Sequence, residues 1–326
     1  MSKFSHIYIE EGATAYPVTQ HVLSRFPRSI RVAIRHYKDV FNRPHQNFRR
    51  QKASPKLILA VKQEPFLYPG PEVCEDFGHP NFYYTSPVLN CIYDCDYCYL
   101  QGLYPSANIV IFVNIEDFFK AVDRKLESGP LYLCPSYDTD LLALEGIVPY
   151  ASRWIEFAAT RQDLVIELRT KSANYSAIAH LKPAEQVILA WSLSPGEVAR
   201  RYERLAPPLK TRLTAIKAAL QDGWQVRLCF EPLLKVYSWQ HVYNEFLDEV
   251  FSILPAEKIF DANIGVFRMS KEHFKRISRM RNDTDVFAFP MVCCEGEVVT
   301  YEDEKELRDF FYQGLKRYLP EGKIYG

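Results

Sequence analysis

The chain has 326 residues, with 40 Lys and Arg against 40 Asp and Glu, and 48% of it is apolar. That length fits about two domains or one α/β barrel, and 21 Phe, 21 Tyr and 4 Trp exclude a disordered chain. No apolar run reaches the roughly 18 residues that span a bilayer, and the start, MSKFSHIYIEEG, lacks the basic-then-apolar pattern of a signal peptide. The expectation is a cytoplasmic protein with no membrane contact, whose eight cysteines serve as ligands or thiols instead of disulfides.

In chain order, residues 1–80 read as an N-terminal α/β region. It holds a strand (His6–Glu10), a helix (Val18–Phe26) and a second strand (Leu57–Val61). Between Arg25 and Lys56 stand Arg25, Arg28, Arg31, Arg35, Lys38, Arg43, Arg49, Arg50, Lys52 and Lys56 against Asp39 alone. This is either a polyanion-binding segment or a solvated helix face and loop. Pro65, Pro69, Gly70 and Pro71 then break the chain into a loop or linker.

Residues 81–270 alternate regularly. The predicted strands are Phe82–Val88, Ile109–Val113, Leu131–Cys134, Leu164–Leu168, Val187–Trp191, Gln225–Phe230 and Ile259–Val266. Between them fall helices at Leu144–Thr160, Tyr175–His180, Leu209–Leu220 and Trp239–Ile253, and Asn114 with Asp117 resembles a capping box opening another. About six βα units are too few for a full barrel, so the pattern predicts a partial (β/α)6 barrel with its chemistry at the carboxyl ends of the strands. Residues 271–326 predict a hairpin, Val286–Met291 with Glu297–Tyr301, and a last helix, Lys305–Tyr318.

The sharpest motif is Cys91-Ile92-Tyr93-Asp94-Cys95-Asp96-Tyr97-Cys98, a C-x3-C-x2-C spacing. Three thiols this close read as a metal site. Structural zinc prefers paired knuckles and a fourth ligand, and no second pair is placed to complete one, since the adjacent Cys293 and Cys294 chelate poorly. Three cysteines in one loop suit three irons of a [4Fe-4S] cluster, leaving the fourth iron open. A structural metal or plain buried thiols are the alternatives.

This loop, after a predicted strand and before βα units, resembles that of the radical S-adenosylmethionine superfamily. Cys98-Tyr99-Leu100-Gln101 followed by Ile109–Asn114 resembles the spore photoproduct lyase family in particular. So do Ile7-Tyr8-Ile9-Glu10, Ala15-Tyr16-Pro17, Lys56–Val61, Thr170-Lys171, Trp191-Ser192-Leu193-Ser194, Phe230-Glu231-Pro232 and Val266-Phe267-Arg268. The resemblance implies a TIM-type radical SAM partial barrel that binds a [4Fe-4S] cluster and S-adenosyl-L-methionine. It implies a carbon–carbon lyase reversing the thymine photodimer 5-thyminyl-5,6-dihydrothymine in DNA through a 5′-deoxyadenosyl radical. UV-damaged DNA and an electron donor such as flavodoxin or ferredoxin follow as partners.

Carried over residue by residue, the resemblance makes Cys91, Cys95 and Cys98 the cluster ligands. It makes Lys171, Ser192 and Asp140 contacts of S-adenosylmethionine, against plainer readings as a strand-end lysine, a core serine and a helix N-cap. Tyr97 and Tyr99 match tyrosines that relay the hydrogen, or else they only pack. Two departures stand out. The family's donor cysteine begins a C-T-S-D run, where this chain has Cys134-Pro135-Ser136-Tyr137-Asp138-Thr139-Asp140. Aligning the aspartate puts Tyr137 at the cysteine's place, so either Tyr137 or Cys134 donates, or Cys134 is an inert buried thiol. The family's basic, aromatic hairpin is replaced by Cys293-Cys294-Glu295-Gly296, leaving Lys271, Lys275, Arg276, Arg279 and Arg281 with the Arg25–Lys56 segment to track a DNA backbone. The alternatives are a related radical enzyme acting on another substrate, and a nucleic-acid-binding module ordered by a structural metal.

Overall fold

Short apolar runs with both faces buried build the central sheet, as parallel strands covered on two sides require. The computed structural model describes residues 4–326, apart from the side chain of Glu295. Six parallel strands form the sheet: β1 (Phe82–Tyr84), β2 (Leu131–Cys134), β3 (Leu164–Thr170), β4 (Val187–Ser192), β5 (Gln225–Leu233) and β6 (Asp261–Val266). They pair in that order, with Ile166 opposite Val187 and Arg227 opposite Asp261 fixing the register. Ile324–Tyr325 extends the sheet beyond β6 and Tyr68–Pro69 closes the other edge antiparallel to β1. The sheet curls into a half-barrel, the partial barrel that the alternation predicts.

A second sheet lies beside it, in the order Ile30–Ile34, His6–Glu10, Leu57–Ala60, Ile109–Phe112, Val88–Leu89. Here the structure corrects the sequence reading. The Ile109 run joins this sheet, pairing with Leu57–Ala60, and is no barrel strand. A fully apolar run signals a buried parallel strand without saying in which sheet. Likewise, the predicted strand Phe82–Val88 is split: Phe82–Tyr84 belongs to the barrel and Val88–Leu89 to the second sheet. This one segment therefore ties the two sheets together just before the cysteine loop.

Other differences have local causes. The predicted helix Leu144–Thr160 is two helices, Leu141–Leu144 and Tyr150–Ala158, interrupted before Pro149. Glu145 in the gap accepts from the backbone N–H groups of Ala151 and Ser152 at 2.8 and 3.1 Å, which satisfies the start of the second helix. Asn114 makes no capping bond to its helix backbone; its side chain bridges Lys62 and the Asp117 carboxylate instead. Only a single 3-10 turn, Tyr175–Ala177, forms where a short helix is predicted. The hairpin strands are Met291–Cys294 and Val298–Tyr301, so Cys293 and Cys294 lie in a strand and not in the turn. Pro290 cannot donate to the ladder, which starts one residue later. Helix Lys271–Met280, unmarked in the sequence reading, packs on the short helix Leu100–Leu103 so closely that a Cβ on Gly102 would lie 2.6 Å from that of His273.

Candidate active site at the carboxyl ends of the barrel strands

The cysteine loop leaves the β1 segment at Asn90, whose φ of 68° turns the backbone through the left-handed region. The Asn90 amide donates to the carbonyls of Ser106 and Asn108, both at 2.7 Å, so the loop is closed at its base. Asp94–Cys95 pairs with Glu203–Arg204 in a two-stranded ribbon. Positive charge clamps the rest. Lys52 donates to the carbonyl of Cys91, and Arg281 bonds Asp94, Asp96 at 3.3 Å and Gln101 at 2.7 Å. Gln101 in turn donates to the carbonyl of Cys95 at 2.7 Å.

These contacts correct the sequence reading of the basic residues. Lys52 and Arg281 are buried against the cysteine loop and do not face a polyanion. Lys271 pairs with Glu297, and Arg276 donates to the carbonyl of Gly102 at 2.9 Å. Arg25, Arg28, Arg31, Arg35, Lys275 and Arg279 remain exposed.

Cys91, Cys95 and Cys98 border one cavity of about 560 Å³ at the strand ends. Tyr97, Tyr99, Cys134, Tyr137, Asp140, Lys171 and Ser192 border the same cavity, so the structure brings together the candidate cluster, cofactor and hydrogen-transfer residues, while Cys293, Cys294 and the exposed basic residues lie outside it. Among the described residues no three His, Cys, Asp or Glu side chains gather closely enough to ligate one shared ion. A cubane takes each thiolate on a different iron, which three thiols bordering one cavity suit. Burial pushes all three thiols up, Cys91 to about 12, with Lys52 opposing at Cys91 and Cys98 and Lys171 at Cys95. Iron at this loop would supply the positive charge that buried thiolates require, so the donor set fits the cluster.

Lys171, just past β3, has its ammonium 3.9 Å from Glu203 and over the Tyr97 ring. Glu203 also accepts from Tyr97, from Ser194 at 3.0 Å and from the buried Arg212. Burial alone would raise this carboxyl, but Lys171 and Arg212 hold it below its ordinary value. Arg212 also donates to the carbonyl of Ser192 at 3.1 Å. Asp140 is saturated by the protein: it accepts from Ala143 N at 2.9 Å, from the Thr170 hydroxyl and from the backbone N–H of Lys171, both at 2.7 Å. It caps the helix Leu141–Leu144 and fixes the end of β3.

On the opposite wall Tyr99 donates to the backbone carbonyl of Tyr137 at 2.8 Å, and the Tyr84 and Tyr137 rings lie 4.2 Å apart. Burial pushes the Cys134 thiol up to about 12. Sequence reasoning missed Cys74, whose Sγ lies 3.7 Å from the Tyr137 hydroxyl. It also assigned no role to Glu231 and Arg268, although both sit in runs that carry the resemblance; they meet at 3.1 Å on the cavity wall.

A partial parallel barrel with a C-x3-C-x2-C loop at the carboxyl ends of its strands defines a radical S-adenosylmethionine enzyme. More narrowly, the sequence model of the spore photoproduct lyase family matches residues 3–282, and the chain belongs to that family. Solved structures agree in fold. A spore photoproduct lyase variant with bound AdoMet and dinucleoside spore photoproduct superposes with a TM-score of 0.83 at 18% identity, covering 99% of this chain and 97% of that one. Spore photoproduct lyase complexed with dinucleoside spore photoproduct gives 0.79 at 18%, with the same coverage. No curated protein sequence matches the chain.

Proposed function

We propose that this chain is a DNA repair lyase that returns the spore photoproduct, 5-thyminyl-5,6-dihydrothymine, to two thymines. The observation that carries this reading is the single cavity that unites the three loop thiols, Lys171 and the Tyr84–Tyr137–Tyr99 wall in a member of this family. When bound, a [4Fe-4S] cluster and S-adenosylmethionine supply a 5′-deoxyadenosyl radical that takes the hydrogen from C6 of the lesion. Cys91, Cys95 and Cys98 would hold the cluster, one thiolate to each of three irons. Lys171 presents its ammonium to the methionine carboxylate, a charge-assisted contact, beside Ser192. Asp140 acts through Lys171, by fixing its backbone. Tyr97, committed to Glu203, shapes the floor, and Tyr99 lies on the path of the returning hydrogen.

The exposed Arg25, Arg28, Arg31, Arg35, Lys275 and Arg279 contact the DNA backbone, which positions the duplex without reading its sequence. Two linked thymines already stack and pair weakly, which favours their extrusion into the cavity. A one-electron donor such as a flavodoxin or ferredoxin would supply the electron that the cluster chemistry needs. The test is a lesion dinucleotide carrying deuterium at C6, incubated anaerobically with the reduced protein. Deuterium at the 5′ carbon of the recovered nucleoside or S-adenosylmethionine is the expected result; deuterium confined to the lesion would overturn the reading.

A further inference from the structure

We infer that Arg169, Glu231 and Arg268 form a donor–acceptor–donor row that reads the imide edge of one lesion ring, and so restricts the substrate to thymine-derived bases. The inference rests on the repair-lyase reading above and names the groups that select its substrate. It starts from three charged side chains on the cavity wall, none of which holds the cluster or S-adenosylmethionine in that reading.

The row is held rigidly. β5 and β6 pair regularly up to Phe230 opposite Ile264 and resume at Leu233 opposite Val266, so β5 carries one extra residue there. Such a bulge re-aims side chains beside active sites, and Glu231 lies in it. The Glu231 side chain fills the space over Gly265, where a Cβ would lie 2.6 Å from the carboxylate. Asn263 donates to Glu231 Oε2 at 2.8 Å, Arg169 to the same oxygen at 3.1 Å, and Arg268 to Oε1 at 3.1 Å. Arg169 is fixed in turn by Glu167 at 2.9 Å, and Arg268 by the carbonyl of Val73 at 2.6 Å. The three groups therefore need no rearrangement to meet a ligand.

Capacity for a ligand remains. A carboxylate offers about four lone-pair sites and a guanidinium five N–H donors. The Glu231 carboxylate accepts from Asn263, Arg169 and Arg268, which leaves one site. Among the described residues, Arg169 Nη2 and Arg268 Nη1 donate to no protein group. The side chains of Arg169, Glu231 and Arg268 are 32%, 22% and 36% exposed, so the spare groups reach the cavity they border. A thymine or dihydrothymine ring carries O4, N3–H and O2 in sequence, an acceptor–donor–acceptor edge complementary to this wall. Extruded bases are read at that edge. A cytosine-derived ring turns a lone pair at N3 toward Glu231, acceptor against acceptor. A site that pairs a substrate N–H rejects the analogue lacking it, because its own polar group is then left unpaired.

The test is equilibrium binding to the reconstituted holoenzyme of dinucleotide spore photoproduct and of two analogues, methylated at N3 of one ring or of the other. In wild type, one of the two methyl groups is expected to weaken binding about tenfold to a hundredfold. Glu231→Ala is expected to lose most of that penalty, since no acceptor is left to go unpaired. Its S-adenosylmethionine affinity and iron per chain should stay at wild-type values, whereas a merely structural role would lower both. No penalty at either ring in wild type overturns the inference, whether or not the variant folds. A penalty undiminished in Glu231→Ala also overturns it. So does a variant whose loss lies in S-adenosylmethionine binding, which would assign the row to the adenine. Wild type that restores no thymine from the unmodified dinucleotide defeats the repair-lyase reading; wild type that restores it without a methyl penalty defeats this inference alone.

Discussion

Glu203 is a buried carboxylate shared by Lys171, Tyr97, Ser194 and Arg212, and its constraint decides what Lys171 can do. Arg212 neutralises Glu203 at close range, so the more distant Lys171 keeps charge to offer a ligand's carboxylate. Hydrogen bonds to charged groups contribute about 1.5–3 kcal/mol, and each 1.4 kcal/mol is tenfold in affinity. Lys171→Met should therefore weaken S-adenosylmethionine binding roughly ten- to a hundredfold, measured by equilibrium dialysis against the reconstituted protein. An unchanged dissociation constant would remove Lys171 from the site. At this scale the sequence was partly legible. The cysteines and Lys171 sit in runs with fixed spacing, but Cys74 stands in a proline-rich loop where nothing local marks a thiol. Only the fold brings it to Tyr137.

At the scale of elements, the cysteine loop is held by a helix more than 170 residues downstream. Arg281 ends helix Lys271–Met280, and its guanidinium is enclosed by Asp94, Asp96 and Gln101. The sequence reading set Arg281 among residues that track a DNA backbone, because burial is set by the partner and not by the residue. The close approach at Gly102 creates that burial here. Removing one partner of a buried ion pair costs about 3–5 kcal/mol, because carboxylates are left without compensation. Arg281→Met should destabilise the protein by about that much in denaturant unfolding and lower the iron bound per chain. A loss under about 1 kcal/mol, the range of exposed pairs, would show that the clamp contributes little. The βα alternation was legible for the same reason that sheet membership was not: an apolar run reports burial on both faces, and Ile109–Phe112 is buried in the neighbouring sheet.

Across the whole molecule, a charge network ties the barrel strands together. Arg227 on β5 bonds Glu167 on β3, Asp261 on β6 and the Tyr132 hydroxyl on β2 at 2.5–2.6 Å, with the Phe77 ring 3.3 Å from its guanidinium. The two carboxyls move in opposite directions. Burial raises both, but Glu167 has Arg169 as well as Arg227 and falls to about 2, whereas burial prevails at Asp261 and raises it. A carboxyl lowered on folding stabilises the protein above its unfolded value, near 4.5, and that contribution is lost as pH falls toward about 2. Asp261 acts in the opposite sense. Stability extrapolated from denaturant unfolding should therefore fall more steeply below about pH 4.5 in wild type than in Glu167→Gln. Equal slopes would show that Glu167 is not held ionised by its two arginines.

The central claim is that this fold carries lesion repair and not radical chemistry alone. Its most direct test is the anaerobic reaction of reduced, reconstituted protein with S-adenosylmethionine and dinucleotide spore photoproduct, with thymine and 5′-deoxyadenosine quantified together. Restored thymine that disappears in Cys91→Ala is the predicted result. 5′-Deoxyadenosine formed with no thymine would contradict it, leaving a radical enzyme of this family with a different substrate.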